Sequence, residues 1–376
     1  MARMFNCDES MLINSMHDET MYRIIKHNNH VRIPGKSPID LKHFVKDHPD
    51  NEWEILAKDG VNVYENQTSI DEARTRPGKR VDFPNDVFLF HSSQYDNPAS
   101  NPFGVLAMAG TSITYKYLTR SVEKRISIEP DVKTGKVEQY SWHSILEKFH
   151  KGKTPPSNAL VVIDRFIFNY LPEGRVDYKN GVRNLFGILN ELLPQSFDGE
   201  YQILLVFDPT KISRPNTMDD VVKALQTIKK VIRGGRYIPT IELLPISADD
   251  DREIYSETHD RRIISNYFSI EASHGFSAIL PPTQQADKLT YTGYGFGTWG
   301  QKIEFKSIYA GIEKEEDDLD LNSLPISFNE EILRYLRKYV VRKTGRDGVE
   351  YICNGNRHCD ISELRNRLVR AIKQEQ

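Results

Sequence analysis

Three short runs decide the fold: ALVVID at 159–164, YQILLVF at 201–207 and TIELLPI at 240–246. Each is close to continuously apolar and rich in branched side chains, instead of alternating apolar with polar. That pattern belongs to strands covered on both faces, as in a sheet with helices packed above and below. The segments between them have helical period. From 180 to 193, Val182, Leu185, Phe186, Leu189 and Leu192 or Leu193 fall on one face. From 218 to 232 a second helix is expected, capped by Thr217, with Asp219 and Asp220 in its first turn and Gly234-Gly235 as its stop. Strand–helix–strand–helix–strand predicts an α/β fold with a mostly parallel sheet and flanking helices. A fourth strand is expected over 259–270. Functional residues in such sheets gather at strand ends. Asp164 and Asp208 stand at two of these ends, either facing a site or serving as turn and capping residues.

Working outward, the fourth strand begins with His259, Asp260, Arg261, Arg262, Ile263, Ile264, Ser265 and Asn266. On a strand, His259 and Arg261 share a face because side chains alternate with period two. An imidazole beside a guanidinium suits a phosphate ester: the ring attacks or moves protons, and the guanidinium forks onto phosphate oxygens. The architectural alternative uses the same residues. His259 and Asn266 would satisfy buried hydrogen bonds, and Arg261 would pair with Asp260 or Asp251.

The spacing His259-x-Arg261-x4-Asn266 resembles the His-x-Lys-x4-Asp motif of the phospholipase D superfamily, with Arg for Lys and Asn for Asp. With Tyr267 and the run Ser273, His274, Gly275 and Phe276, it looks most like the phospholipase-D-like carboxy-terminal domain of MIT-domain proteins. The resemblance covers roughly 157–310. It implies a single phospholipase-D-like lobe that pairs into homodimers and binds lipid without catalysis. As an enzyme of that superfamily, the chain would use His259, Arg261, Asn266 and His274 as catalytic residues, with Arg261 and Arg262 binding phosphate. A twofold axis or His274 would supply the second imidazole. The Gly-Ser-x-Asn element of the active enzymes does not follow Asn266.

The rest of the chain divides by composition. Residues 1–150 read as a mixed α/β or β-rich domain, with strand-like segments at 61–64, 87–90, 112–115 and 125–128 and a short helix at 141–150. The run at 103–110 fits a strand or a buried helix equally, and the chain contains neither GxGxxG nor a Walker pattern. A linker (GKTPP, 152–156) separates this region from the central domain at 157–310. An acidic linker (311–325) then leads to a small basic α/β module at 326–376.

Composition bounds the function. Hydrophobic residues make up 39% and charged residues 27%, as in ordinary globular proteins. A formal charge of −3 argues against a general polyanion binder, so any phosphate site must be a local patch. Three cysteines, Cys7, Cys353 and Cys359, are too few for a disulfide framework and fit a reducing compartment. Cys353, His358 and Cys359 lack the spacing of a zinc knuckle, so no metal or cofactor is expected. No apolar run approaches a transmembrane length and no signal peptide is evident, which predicts a cytoplasmic protein. The expected function is recognition of a phosphodiester ligand, a lipid headgroup or nucleic acid. The alternatives are a metal-independent phosphodiesterase or nuclease, for example in a defence or mobile-element system, and a protein-interaction scaffold.

Overall fold

The computed structural model describes residues 5–7, 30–34, 62–66, 87–90, 106–109, 122–128, 143, 157–168, 178–212, 217–256, 261–266, 268–272, 301–307, 325–346, 351–358, 360–370 and 372. The three apolar runs form adjacent parallel strands: β7 (Ala159–Ile163), β8 (Gln202–Phe207) and β9 (Thr240–Pro245). Helix α1 (Tyr178–Leu192) links the first two, and α2 (Met218–Ile228) the second and third. At the start of α2 the Asp220 carboxylate accepts the Thr217 backbone N–H at 2.9 Å and its hydroxyl at 2.8 Å. Helix α2 stops four residues earlier than the sequence suggested. Its chain then turns through Ile232–Gly235, where Arg233 takes a left-handed conformation (φ 53°). That turn lets the Arg233 guanidinium donate to the carbonyls of Glu191 and Leu193, both at 2.6 Å, satisfying acceptors that the end of α1 leaves open.

The expectation of a mostly parallel sheet is corrected for this region. The full order is β14 (Asn356–His358), β13 (Tyr351–Cys353), β9, β8, β7, β10 (Arg261–Ser265), β11 (Phe268–Ala272), β12 (Gln301–Ser307) and β6 (Val122–Ile128). The central ladders β7–β8 and β8–β9 are parallel, and the others in this sheet are antiparallel. The stretch expected as one fourth strand is a hairpin: β10 (Arg261–Ser265) turns back into β11 (Phe268–Ala272). The Ser265 hydroxyl accepts the Phe268 N–H across that turn. A turn this short joins only antiparallel strands. From β11 the sheet continues to β12 (Gln301–Ser307) and then β6 (Val122–Ile128). Thus a segment assigned to the amino-terminal domain completes the edge of the central sheet.

Both faces of the central strands are covered, which is why β7, β8 and β9 are close to continuously apolar. On one face, Val182, Leu185, Leu189, Leu192, Val221 and Leu225 from α1 and α2 pack on Leu160, Val162, Ile203, Leu205, Ile241 and Leu243. The other face is covered by α4 (Pro325–Lys343), the short α5 (Arg367–Arg370) and the turn around Ile361. Ile332, Leu333, Leu336, Val340, Leu368 and Val369 pack there on Val161, Ile163, Leu204, Val206 and Leu244. Two further strands, β13 (Tyr351–Cys353) and β14 (Asn356–His358), extend the sheet beyond β9. The residues expected as a separate carboxy-terminal module therefore belong to the core of the central domain. Arg334, Lys338, Arg342 and Arg370 lie on the outer side of helices whose inner side is apolar, whereas Arg367 is buried and donates to the Glu200 carbonyl at 2.7 Å.

The described part of the amino-terminal region contains a second sheet, entirely parallel, of β1 (Phe5–Cys7), β2 (His30–Pro34), β3 (Asn62–Asn66), β4 (Val87–Phe90) and β5 (Leu106–Ala109). Its order is β3-β2-β1-β4-β5. The ambiguous run at 103–110 supplies β5, whereas the strand expected at 112–115 lies outside the described residues. No described helix is long and apolar enough to cross a membrane.

Candidate functional site

The carboxyl ends of β7 and β8 lie side by side, and β10 starts at that end because it runs antiparallel to β7. Three chain segments thereby deliver polar side chains to one edge of the sheet. Asp164 follows β7 and Asp208 follows β8; each is 1% exposed. Asp208 caps the turn Pro209–Lys211: Oδ1 accepts the Thr210 N–H at 3.0 Å and the Thr210 hydroxyl at 2.6 Å. Its Oδ2 accepts Arg165 Nε at 3.1 Å. Burial pushes this carboxyl up, but the Thr210 and Arg165 donors outweigh burial and hold it below the usual carboxylate range. Asp164 Oδ1 accepts the Phe166 N–H at 2.9 Å and lies 3.9 Å from Arg261 Nε.

The two buried carboxylates thus hold two guanidinium groups, and both groups meet one aromatic ring. Arg165 Cζ is 5.1 Å and Arg261 Cζ 5.4 Å from the centre of Phe166. Such distances allow a cation–π attraction of about 0.5–2 kcal/mol each, depending on solvent exposure. Arg165 also lies 5.8 Å from the Tyr255 ring, on the short helix α3 (Arg252–Ser256). Tyr255 donates its hydroxyl to the Ile246 carbonyl at 2.8 Å. Burial, then the Asp208 charge, push that hydroxyl far above its ordinary pKa, so it stays neutral.

The residues singled out by the motif do not all meet here. Arg261 stands at this edge, with Asp164 as its acidic neighbour; Asp251 instead pairs with Arg342 of α4. Arg262, one residue on, belongs to the opposite face by strand alternation. It is 5% exposed and pairs with Glu271 Oε1 at 2.7 Å, its cross-strand partner on β11. Its charge is committed inside the protein, which argues against the phosphate-binding role expected for it. Asn266 lies at the other end of β10, roughly 16 Å along the strand from Arg261 at about 3.3 Å per residue. Its Oδ1 accepts the N–H groups of Asn158 at 2.9 Å and Ala159 at 3.2 Å, and its Nδ2 donates to Asn158 Oδ1 at 2.8 Å. Asn266 fastens the start of β7 and is not joined with Arg261 in a catalytic pair. His259 and His274 lie outside the described residues.

Sequence reading missed Arg165, Phe166 and Tyr255. The available signal was the Asp164-Arg165-Phe166 triplet directly after a buried parallel strand, where the strand-end rule concentrates function. Among the described residues no group of three or more His, Cys, Asp or Glu is placed to hold a metal ion. His358 is engaged with Glu363 at 2.5 Å, and Cys353 is buried. No family model matches the chain, and no curated protein shows significant similarity to it.

Proposed function

We propose that the sheet edge formed by Arg165, Phe166 and Arg261 recognises the phosphate group of a phosphodiester ligand, without turning it over. The observation that carries this reading is the pair of guanidinium groups flanking Phe166, each next to a buried carboxylate at adjacent strand ends. Guanidinium forks match phosphate oxygens, and fixing them in advance removes part of the entropy cost of binding. Because Asp164 and Asp208 offset the two positive charges, binding rests on directed hydrogen bonds more than on net charge. The separation of Asn266 from this edge favours a binder over an enzyme.

The test is titration of labelled single-stranded and duplex nucleic acid, and of vesicles carrying a phosphodiester lipid, in EDTA. Arg261→Ala should weaken binding about tenfold or more, equivalent to about 1.4 kcal/mol, with weaker binding again at high salt. The two ligand arms separate nucleic acid from lipid. Unchanged affinity in Arg261→Ala would sink the proposal, and cleavage by the parent protein that disappears in His259→Ala would replace it with the phosphodiesterase reading. Pairing into homodimers belongs to the same proposal; sedimentation at micromolar concentration should show a dimer, and a strict monomer refutes it.

A further inference from the structure

Helix α4 ends beside the edge that carries Arg165 and Arg261. Arg342, in its last turn, pairs with Asp251, which directly precedes α3. The Tyr255 ring of α3 lies 5.8 Å from Arg165. From that junction a ridge of cations runs back along the outer side of α4. Arg334, Lys338 and Arg342 follow one another at four-residue intervals, and all three are exposed. The helix rise sets them about 6 Å apart along its axis.

Neither packing nor helix electrostatics requires this ridge. The inner side of α4 is supplied by Ile332, Leu333, Leu336 and Val340. The helix dipole favours Arg342 and Lys343, but it fades within the last turn and does not reach Lys338 or Arg334. Like charges four residues apart destabilise a helix, and Lys338 has a cation four residues to either side. Glu331, exposed at the far end, offsets part of one charge. A line of anions along the ridge relieves the repulsion. The ridge has no apolar side to insert into a lipid surface: among the described residues of α4, Val341 is the one large apolar side chain exposed. Successive phosphates of a strand fit it better. Half-buried Tyr335 flanks the ridge, with Lys338 Nζ 5.9 Å from its ring centre, and half-buried Phe166 stands at the sheet edge. Rings so placed present faces on which unpaired bases stack.

Resting on the phosphate reading of the Arg165–Arg261 edge, we propose that the ridge of Arg334, Lys338 and Arg342 extends that site. The ligand is then a single-stranded nucleic acid: one phosphate meets the sheet edge and those that follow track α4. The experiment is fluorescence anisotropy of the full chain with labelled oligothymidylates of two and twelve nucleotides, in EDTA, across a salt series. The dinucleotide carries a single phosphodiester and reports on the edge alone. For the parent, the slope of log affinity against log salt should be steeper with the longer strand by about 2, three added contacts at about 0.7 each. Arg334→Gln combined with Lys338→Gln should weaken the longer strand about tenfold and reduce that slope by about 1.4, leaving the dinucleotide unchanged. Arg334→Lys with Lys338→Arg keeps both charges and should bind as the parent does. Arg261→Ala should weaken both strands. Both ridge positions are exposed, so the glutamine variant should melt at or above the parental temperature; the parent's own slopes decide the matter if it does not fold. Equal slopes for the two strands in the parent, or an unchanged slope in the glutamine variant, overturn the ridge, while dinucleotide binding lost in Arg261→Ala still upholds the edge. Absence of binding by either strand removes both. Binding to anionic vesicles that depends on Arg334 and Lys338, with none to the oligonucleotides, assigns the ridge to a lipid surface and overturns the proposal.

Discussion

Asn266→Ala should destabilise the protein by about 3–5 kcal/mol, the sum of several buried polar groups losing their partners at about 1–3 kcal/mol each. Its carboxamide oxygen accepts two backbone N–H groups, from Asn158 and Ala159, and its nitrogen donates to the Asn158 side chain. Asn158 and Ala159 are fully buried and Asn266 is 1% exposed, so water does not reach these groups to replace what alanine removes. The loss falls on the start of β7, the strand at the centre of the nine-stranded sheet. Urea unfolding should show a lower midpoint with an unchanged slope. The phosphate binding proposed above should be intact in the fraction that remains folded, because Arg165 and Arg261 stand at the other end of β7. A variant of parental stability that had lost phosphate binding would return Asn266 to the site and reverse the placement argued above.

The contrast between Asn266 and Arg261 marks how far the sequence could be read. Residues 159–164, 201–207 and 240–246 announced buried strands because helices cover both faces and nearly every position is apolar. The connecting helices announced themselves through one-sided apolar spacing. The hairpin of β10 and β11 did not. Apart from half-buried Arg261 both strands are buried, and the turn between Ser265 and Phe268 contains neither glycine nor proline to punctuate the run. Reading that stretch as one strand made the sheet look mostly parallel. The spacing of the motif likewise implied that Arg261 and Asn266 share one pocket. In an extended strand five residues apart means opposite ends, and the cross-strand neighbours decide each role.

The carboxy-terminal residues were legible as elements but not as part of the central core. Amphipathic periodicity in α4 states that one face is apolar without stating what it packs against. Its partner is the second face of a sheet whose strands lie far earlier in the chain, and only tertiary contacts reveal that. The same long-range packing explains a feature that no local pattern foretells: the acidic Glu242 inside an otherwise apolar strand.

Glu242→Gln should flatten the protein's stability between mildly acidic and neutral pH, removing the loss that the parent shows as pH rises, because glutamine cannot ionise. Glu242 is fully buried in β9. Its Oε1 accepts the Tyr351 hydroxyl at 2.5 Å and the Arg365 N–H at 2.6 Å, tying β13 and the carboxy-terminal segment to the sheet. Among the described residues, nothing donates to Oε2. Burial pushes this carboxyl up and the charge of Glu200 adds to it, while Tyr351 and the backbone at Arg365 and Asn366 oppose the rise; the net shift is upward. The sign of the linkage follows. Below the unfolded-state pKa, near 4.3, the group is neutral in both states and costs nothing. As pH rises toward the higher folded-state pKa, the unfolded chain releases a proton that the folded protein keeps, so stability falls with pH through that window and then levels off. Glutamine keeps an acceptor for Tyr351 and Arg365 and cannot ionise. The stability difference between variant and parent should therefore be small near pH 4, grow as pH rises and reach a plateau, as measured by urea unfolding at each pH. Asp208 behaves in the opposite sense, since its folded-state pKa is depressed: its contribution is present above pH 4 and fades in stronger acid. That contribution is common to parent and variant and cancels in the difference. Parallel pH profiles for the two proteins would show that Glu242 carries no proton linkage, and that its buried oxygen is satisfied by a group the surrounding side chains do not reveal.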